Sequence, residues 1–323
     1  MSPKALITGA TGFIGSHLLE TLIDKNWDVT CLVRPQSQTG FIQKLPARIH
    51  RGPLNDLSVL QTAVKNQDYI FHLAARIRSA PPEIYDMANH RLTRDLAQAC
   101  LHTNPEIRRF VYVSSISVAG PTHPGQYFDE MQPPCPASEY GRTKLKGEQA
   151  LYELQGRLPV TIIRPPNVYG ARQQETEILI RLVRKRIVPI LKGRGESTSL
   201  IYVKDLVRGI FMAAEAPQAQ NQTYYLTDGK GYSWREVILT VKKYVLGNSL
   251  YLPIPENLIY SFAWIADMLR AVGIRKLYFG RRVWNAMVKT RWLFSSFKAQ
   301  KELGFRPDYD LDTGIKDMLG FGG

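Results

Sequence analysis

Apolar and polar positions follow two rhythms along the first half of the chain. Short, nearly continuous apolar runs fall at Ala5–Ile7, Asp28–Val33, Ile49 into the turn ending at Asp56, Asp68–Leu73 and Arg109–Ser114. Between them lie stretches with apolar residues at helical spacing: Ser16–Ile23, Leu57–Val64, a segment holding Asn89 and ending near Cys100, and Tyr140 to about Leu154. Strands without polar alternation are buried on both faces, and their regular exchange with helices predicts an α/β fold with a doubly wound parallel sheet of the Rossmann type. Residues 1–165 are expected to form this domain, with a segment near 195–215 returning to it. Residues 166–323 are expected to form a smaller C-terminal substrate lobe. No internal repeat or low-complexity segment interrupts the order.

The second half is less regular. Tyr202–Ala214 is expected to pack back on the first domain, and Trp234–Val245 has helical periodicity through Val237, Ile238, Val241 and Val245. Arg181, Arg184, Lys185, Arg186, Lys192 and Arg194 cluster about a helix at 177–185, read as a solvated face in preference to a phosphate contact. Leu258, Ile259, Phe262, Ile265, Ala266, Leu269 and Val272 make a wide apolar stripe on a further helix. From Arg270 to Lys301 there are nine basic residues (270, 275, 276, 281, 282, 289, 291, 298 and 301) and no acidic one, with Trp284, Trp292 and Phe294 interleaved. Three readings compete here. They are a core helix followed by a solvated basic face, which is favoured, a lid over an apolar substrate with a basic rim, and peripheral contact with anionic lipid.

Composition narrows the field. The 323 residues are 44% hydrophobic, enough for a full core. Cys31, Cys100 and Cys135 are odd in number and form no C-x-x-C, which argues against a disulfide framework or a metal site and makes the reducing cytoplasm the expected compartment. No N-terminal apolar signal precedes the first strand, and no run reaches the roughly 18 apolar residues of a membrane span. With 42 Lys and Arg against 28 Asp and Glu, the net charge of +14 favours anionic partners. No zinc-finger, helix-turn-helix or RNA-recognition pattern supports nucleic acid.

The chemistry begins at Ala5-Leu6-Ile7-Thr8-Gly9-Ala10-Thr11-Gly12-Phe13-Ile14-Gly15. A strand running through three glycines into a helix suits a dinucleotide pyrophosphate: backbone can approach the phosphates, and the helix N-terminus offers free N–H groups. The spacing is G-x-x-G-x-x-G, not the general G-x-G-x-x-G. At the end of the second strand, where an acidic residue would bind a ribose 2′-hydroxyl, stand Val33 and Arg34. A guanidinium there grips a 2′-phosphate, so NADP is expected ahead of NAD; a strand-end arginine facing solvent is the plain alternative. Asp56, beside Leu57, is read both as a helix N-cap and as an acceptor for the adenine amino group. Leu73-Ala74-Ala75 lets backbone approach a cofactor. Ser114 and Ser115 close the fifth strand, and Tyr140 and Lys144, four apart, project from one helix face. A phenol near 10 is too weak an acid for proton exchange at neutral pH; a neighbouring ammonium and an oxidised nicotinamide both favour its phenolate.

These residues resemble the extended short-chain dehydrogenase/reductases, which include nucleotide-sugar epimerases and dehydratases. The segments are T-G-A-T-G-F-I-G (8–15), H-L-A-A (72–75), F-V-Y-V-S-S-I-S-V-A-G (110–120), Y-G-R-T-K (140–144), R-P-P-N-V-Y-G (164–170) and Y-V-K-D-L (202–206). The resemblance implies that Tyr140 is the acid/base, that Lys144 binds the nicotinamide ribose and lowers the tyrosine's pKa, and that Ser115 orients the reacting oxygen. It further implies that Gly9, Thr11, Gly12, Phe13, Ile14, Gly15, Leu73, Ala74, Ala75, Asn89, Ser114 and Pro165 line the cofactor. Asn167 falls where relatives touch substrate. The stretch 198–203 lacks the arginine that UDP-galactose-type epimerases place on a substrate phosphate. Ser114–Pro121 and Tyr224–Gly229 instead resemble the 3β-hydroxysteroid dehydrogenase and dihydroflavonol reductase branch. Leu303–Pro307 is similar to the family's closing motif, so the C-terminus is expected to be complete.

The sequence therefore points to an NAD(P)-dependent oxidoreductase interconverting an alcohol and a ketone on a bulky, apolar or anionic small-molecule substrate. A nucleotide-sugar epimerase or dehydratase holding NAD tightly is the first rival, and a silent dinucleotide-binding scaffold the second. A homodimer is the assembly the resemblance implies.

Overall fold

The computed structural model describes residues 2–77, 80–184, 187–191, 197–245, 250–254, 256–271, 280 and 290–320. Six parallel strands, β1 (Lys4–Thr8), β2 (Asp28–Val33), β3 (Arg48–Arg51), β4 (Tyr69–His72), β5 (Arg109–Val113) and β6 (Val160–Arg164), lie in the order β6-β5-β4-β1-β2-β3. The reversal beside β1 is the switch point at which an open α/β sheet opens a crevice beyond its carboxyl ends. A seventh strand, Gln222–Tyr225, joins the edge in parallel with β6, in the register Tyr224↔Ile163.

Side-chain alternation splits the core in two. Ala5, Ile7, Val29, Cys31, Phe71, Val111 and Ile163 face helix α1 (Phe13–Asp24) and a returning helix, Val203–Glu215, through Leu18, Leu22, Leu206 and Ile210. Leu6, Leu32, Ile70, Phe110, Tyr112 and Ile162 face the opposite layer of α2 (Leu57–Val64), α3 (Pro82–Asp86), α4 (Leu92–Thr103) and α5 (Glu139–Tyr152). Neighbouring positions on a strand point to opposite faces, so both sides of each strand must be apolar.

Two helices differ from their predicted form. α1 starts at Phe13, not Ser16, because Gly12 is its N-cap and Gly15 sits inside the first turn. The helix expected around Asn89 begins at Pro82 and passes through a π turn, Met87–Arg91, into α4. The Asn89 carbonyl, displaced from regular pairing there, accepts from Thr93 Oγ1 at 2.9 Å and the Tyr112 hydroxyl at 3.2 Å.

Beyond β6 the chain builds a three-stranded sheet from Asn167–Tyr169, Thr198–Tyr202 and Gly231–Tyr232, and a two-stranded parallel pair from Ile187–Leu191 and Leu250–Ile254. Gln174–Arg184 is helical with Arg181 and Arg184 exposed, as a solvated face requires. Lys185, Arg186, Lys192 and Arg194 lie outside the described residues. Trp234–Val245 is helical as predicted, burying Val237 and Val241. The apolar stripe falls on the helix Glu256–Ala271, but the buried face is rotated from it: Ala266 of the stripe is buried together with Ala263, Leu269 is half-buried, and Phe262 and Ile265 are exposed. The side chains of Leu258 and Ile259, Val272, Trp284 and the basic residues from 275 to 289 fall outside the described set. Phe294 is fully buried against Phe128 and Tyr225, and Trp292 packs beside it.

One buried ion pair fastens α5 to the sheet edge. Arg164 Nη2 and Nε meet Glu148 Oε2 and Oε1 at 2.6 and 3.0 Å, and Arg164 Nη1 donates to the Tyr225 hydroxyl at 2.9 Å. Glu148 is fully buried and Arg164 nearly so. Removing one partner strands a charge without solvent, so Glu148→Gln should cost about 3–5 kcal/mol in urea unfolding. The double change Glu148→Leu/Arg164→Met should cost less than either single one, and a larger loss in the double variant would refute this account.

Candidate active site

The site lies at the carboxyl ends of β1, β4 and β5. Gly9, with φ of +81°, turns the chain out of β1, and its carbonyl accepts from Gly12 N at 2.9 Å. A Cβ on Gly9 would stand 2.7 Å from Ala74 N, and one on Gly15 would stand 2.2 Å from the Gly9 carbonyl oxygen. These two glycines are dictated by the protein's own packing. Gly12 is different, since its Cβ would meet only the Gly9 oxygen, at 3.2 Å, and the residue is exposed with Thr11. No side chain caps α1 and no acidic residue stands in its first turn, so its N–H groups face an open cradle.

The loop after β4 is pinned against this turn. Leu73 N donates to the Thr8 carbonyl at 3.0 Å, and Ala74 N to Thr8 Oγ1 at 3.3 Å. Thr8 Oγ1 also bonds His72 Nδ1 at 2.6 Å, and His72 Nε2 lies 3.0 Å from Thr93 Oγ1. Burial, with the nearby Lys144 charge, pushes the His72 pKa down to about 3, so the ring is a neutral strut. Asn89 does not present its amide to the cleft. It is buried, Oδ1 accepting from Arg76 N at 2.7 Å while Nδ2 donates to the Arg76 carbonyl and to Thr143 Oγ1, each at 3.1 Å. It holds the loop through Ala75 and couples it to α5.

At the end of β5, Ser114 is buried and its hydroxyl finds no partner among the described residues. Ser115, in extended conformation, accepts from Ser117 N at 3.1 Å, and its hydroxyl lies near enough to the Tyr140 phenol to favour the phenolate. Ser138 caps α5 by accepting from Gly141 N, which sets Tyr140 in the first turn. One turn later Lys144 is buried, donates to the Val113 carbonyl at 2.7 Å and lies 4.0 Å from the centre of the Tyr112 ring. Burial pushes the Lys144 amine down to about 7, against the raising influence of Glu148. Burial pushes the Tyr140 phenol up to about 12, and the Ser115 hydroxyl only partly opposes it. The lysine does not by itself bring the phenol into the neutral range. The structure thus unites Ser115, Tyr140 and Lys144, with Pro165 alongside: its carbonyl accepts from Ile116 N at 3.1 Å.

The remaining predicted residues are more dispersed. Asp56 caps α2 by accepting from Ser58 N and Oγ at 2.9 and 2.7 Å, and Leu57 is exposed beside it. Asn167 stands at the start of the small sheet, its amide donating to Thr198 Oγ1 at 3.1 Å. Arg34 is exposed at the end of β2. Two neighbours escaped the sequence reading. Arg51, register partner of Val33, folds the segment after β2 by donating to the Pro35 and Ser37 carbonyls and to Thr39 Oγ1. Tyr85 packs its ring 6.5 Å from that of Tyr140. Only the parallel register places Arg51 beside Arg34, and nothing in the local sequence marks Tyr85.

An open glycine cradle at the end of β1 and a serine hydroxyl without a partner among the described residues at the end of β5 fit a dinucleotide, and no group of three or more His, Cys, Asp and Glu among the described residues could hold a metal ion. Fold and site define a dinucleotide-dependent α/β enzyme. The model of the NAD dependent epimerase/dehydratase family matches residues 5–226, and the chain belongs to that family, the extended short-chain dehydrogenase/reductases. It is 25% identical over 333 residues to the decarboxylating sterol-4-alpha-carboxylate 3-dehydrogenase of Dictyostelium discoideum, covering 98% of this chain and 99% of that one. It is 28% identical over 269 residues to the UDP-glucose 4-epimerase of Vibrio cholerae, covering 79% and 80%. The crystal structure of gox2253 superposes with a TM-score of 0.80 at 26% identity, over 99% of this chain and 98% of that chain. The family binds NAD or NADP.

The glycines allow a clean separation of folding from binding. Gly15→Ala should lose about 1–3 kcal/mol of stability, because the Gly9 carbonyl must move. Gly12→Ala should melt near the wild type yet bind dinucleotide at least ~10-fold more weakly by titration calorimetry, its methyl standing in the cradle. Undiminished affinity in Gly12→Ala would show that the pyrophosphate sits elsewhere.

Proposed function

We propose that the protein is an NADP(H)-dependent oxidoreductase that interconverts a secondary alcohol and a ketone on a bulky, largely apolar substrate. The observation that carries this reading is the grouping of Ser115, at the end of β5, with Tyr140 in the first turn of α5 and the buried Lys144 one turn further along. The smaller lobe beyond residue 165 supplies the substrate pocket in this reading.

A bound nicotinamide supplies the hydride acceptor or donor. Gly12 and the first N–H groups of α1 would hold the pyrophosphate, and Ser114, Ala74 and Ala75 would line the path toward the ring. Ser115 holds the substrate oxygen by a hydrogen bond, and Tyr140 exchanges the proton with that oxygen as the carbon changes oxidation state. With its pKa near 12 the phenol is protonated and able to give its proton to a developing alkoxide in the reducing direction; in the oxidising direction the charge of an oxidised nicotinamide would favour the phenolate. Lys144, anchored to the Val113 carbonyl, has two further donors for the ribose hydroxyls.

Three features support the substrate class. The epimerase-type arginine is missing from 198–203, where Thr198, Ser199 and Leu200 through Tyr202 form a buried strand. The sterol dehydrogenase is matched over nearly the full length of both chains. The segments 114–121 and 224–229 resemble the hydroxysteroid dehydrogenase and dihydroflavonol reductase branch. For the cofactor, the end of β2 offers the exposed Arg34 and no carboxylate from Val33 through Gly40.

Reduction of a panel of bulky ketones, read as NADPH oxidation, tests the reaction. Tyr140→Phe should lower kcat about 10²–10⁴-fold with NADP(H) affinity unchanged. Equal turnover in that variant would return the protein to the scaffold class. Tightly retained NAD(H) with no net turnover would place it among the epimerases. Arg34→Glu should weaken NADP(H) binding about 10–100-fold and improve NAD(H) binding, as expected for losing a charge-assisted contact and adding a repulsive one. Identical affinities before and after would dismiss the NADP assignment.

A further inference from the structure

We infer that the helix Glu256–Ala271 lays its outer face into the surface of an anionic lipid bilayer and holds the protein there as a peripheral, monotopic enzyme. This inference is independent of the reaction assigned above.

The helix buries small residues and exposes large ones. Ala263 and Ala266, 0% and 1% exposed, face the body, whereas Phe262, Trp264, Ile265 and Met268 are exposed by 54, 47, 47 and 53%. At 100° per residue these four lie on one continuous arc that also includes Tyr260 and Ser261 and carries no charge. Asp267, half-buried, stands on the flank. Other exposed large apolar residues, such as Ile77, Met131 and Ile178, are scattered over separate elements, as on any surface. A grouped patch with a tryptophan among aliphatic side chains is suited to the boundary between headgroups and acyl chains.

Charge selects the occupant. From 268 to 290 the sequence holds six Lys and Arg and no acidic residue, within a chain of net charge +14. A second copy would bring the same positive field, which opposes self-association through this face, whereas an anionic leaflet attracts it. Among the described residues no helix is long and apolar enough to cross a membrane, so the helix lies in the interfacial plane.

The test mixes the full chain with vesicles of phosphatidylcholine alone, or with one lipid in three replaced by phosphatidylglycerol, and measures co-sedimentation. Binding should favour the anionic vesicles, weaken with salt, and fall at least ~10-fold in Phe262→Ser/Trp264→Ser, with thermal melting and NADP(H) affinity retained. Should that variant fail to fold, Ile265→Ser/Met268→Ser reads the same face. Bromolipid should quench the wild type more than Trp264→Phe, which keeps the other four tryptophans. Three results would overturn the inference: no binding to anionic vesicles, binding untouched by loss of the apolar face, or a wild-type dimer that the serine variants convert to monomer. The last would make a second copy the occupant.

Discussion

The bond from Lys144 Nζ to the Val113 carbonyl is the contact around which the site is assembled. It draws a charged side chain into the layer between α5 and the sheet, at the point where β5 runs out of strand partners. That anchor fixes the height of α5 over the strand ends. Tyr140, one turn earlier, then falls beside Ser115 with no further adjustment. The glycine turn at β1 reaches the same edge through a separate constraint, the close approach of Gly9 to Ala74. Two independent packing requirements thus converge on one crevice.

Burying an amine so deeply is costly, and the surroundings offset the cost in stages. The Val113 carbonyl and the face of the Tyr112 ring meet the ammonium directly. Glu148, one further turn along α5, adds a favourable field while its carboxylate is itself neutralised by Arg164. His72 responds in the opposite sense, remaining neutral so that no second positive charge enters the layer. The outcome is a lysine near 7 and a tyrosine near 12, a resting state in which proton exchange is disfavoured. Positive charge brought beside the phenol would lower its pKa, so the strength of this acid would depend on what occupies the crevice.

Much of this was legible because the first half obeys simple periods. β2, α2 and Trp234–Val245 fall at their predicted limits. Periodicity places Ser114 and Ser115 at a strand end and Tyr140 and Lys144 on one helix face, while the choice of Ser115 and the role of each residue come from the family resemblance. The misses share a cause: each depends on a partner distant in sequence. At the π turn the Asn89 carbonyl takes the Tyr112 hydroxyl from β5 as well as the nearby Thr93, and no local pattern encodes the contact with β5. Asn89 lines the cofactor loop from behind for the same reason, its amide engaged by Arg76 and Thr143. Arg51 reaches the neighbourhood of Arg34 only through the β2–β3 register. Gln222–Tyr225 becomes the seventh strand because β6 leaves an open edge.

The helix Glu256–Ala271 marks where periodicity stops being informative. A stripe of apolar residues at helical spacing identifies one face as special, but the inward face is chosen by what the body can accommodate. Here the small residues Ala263 and Ala266 take the buried positions, and Phe262 and Ile265 stay exposed. An exposed aromatic arc incurs a hydration cost for as long as water covers it. The pattern of apolar positions names the residues but not the side they take, so that cost is visible only once the helix is placed.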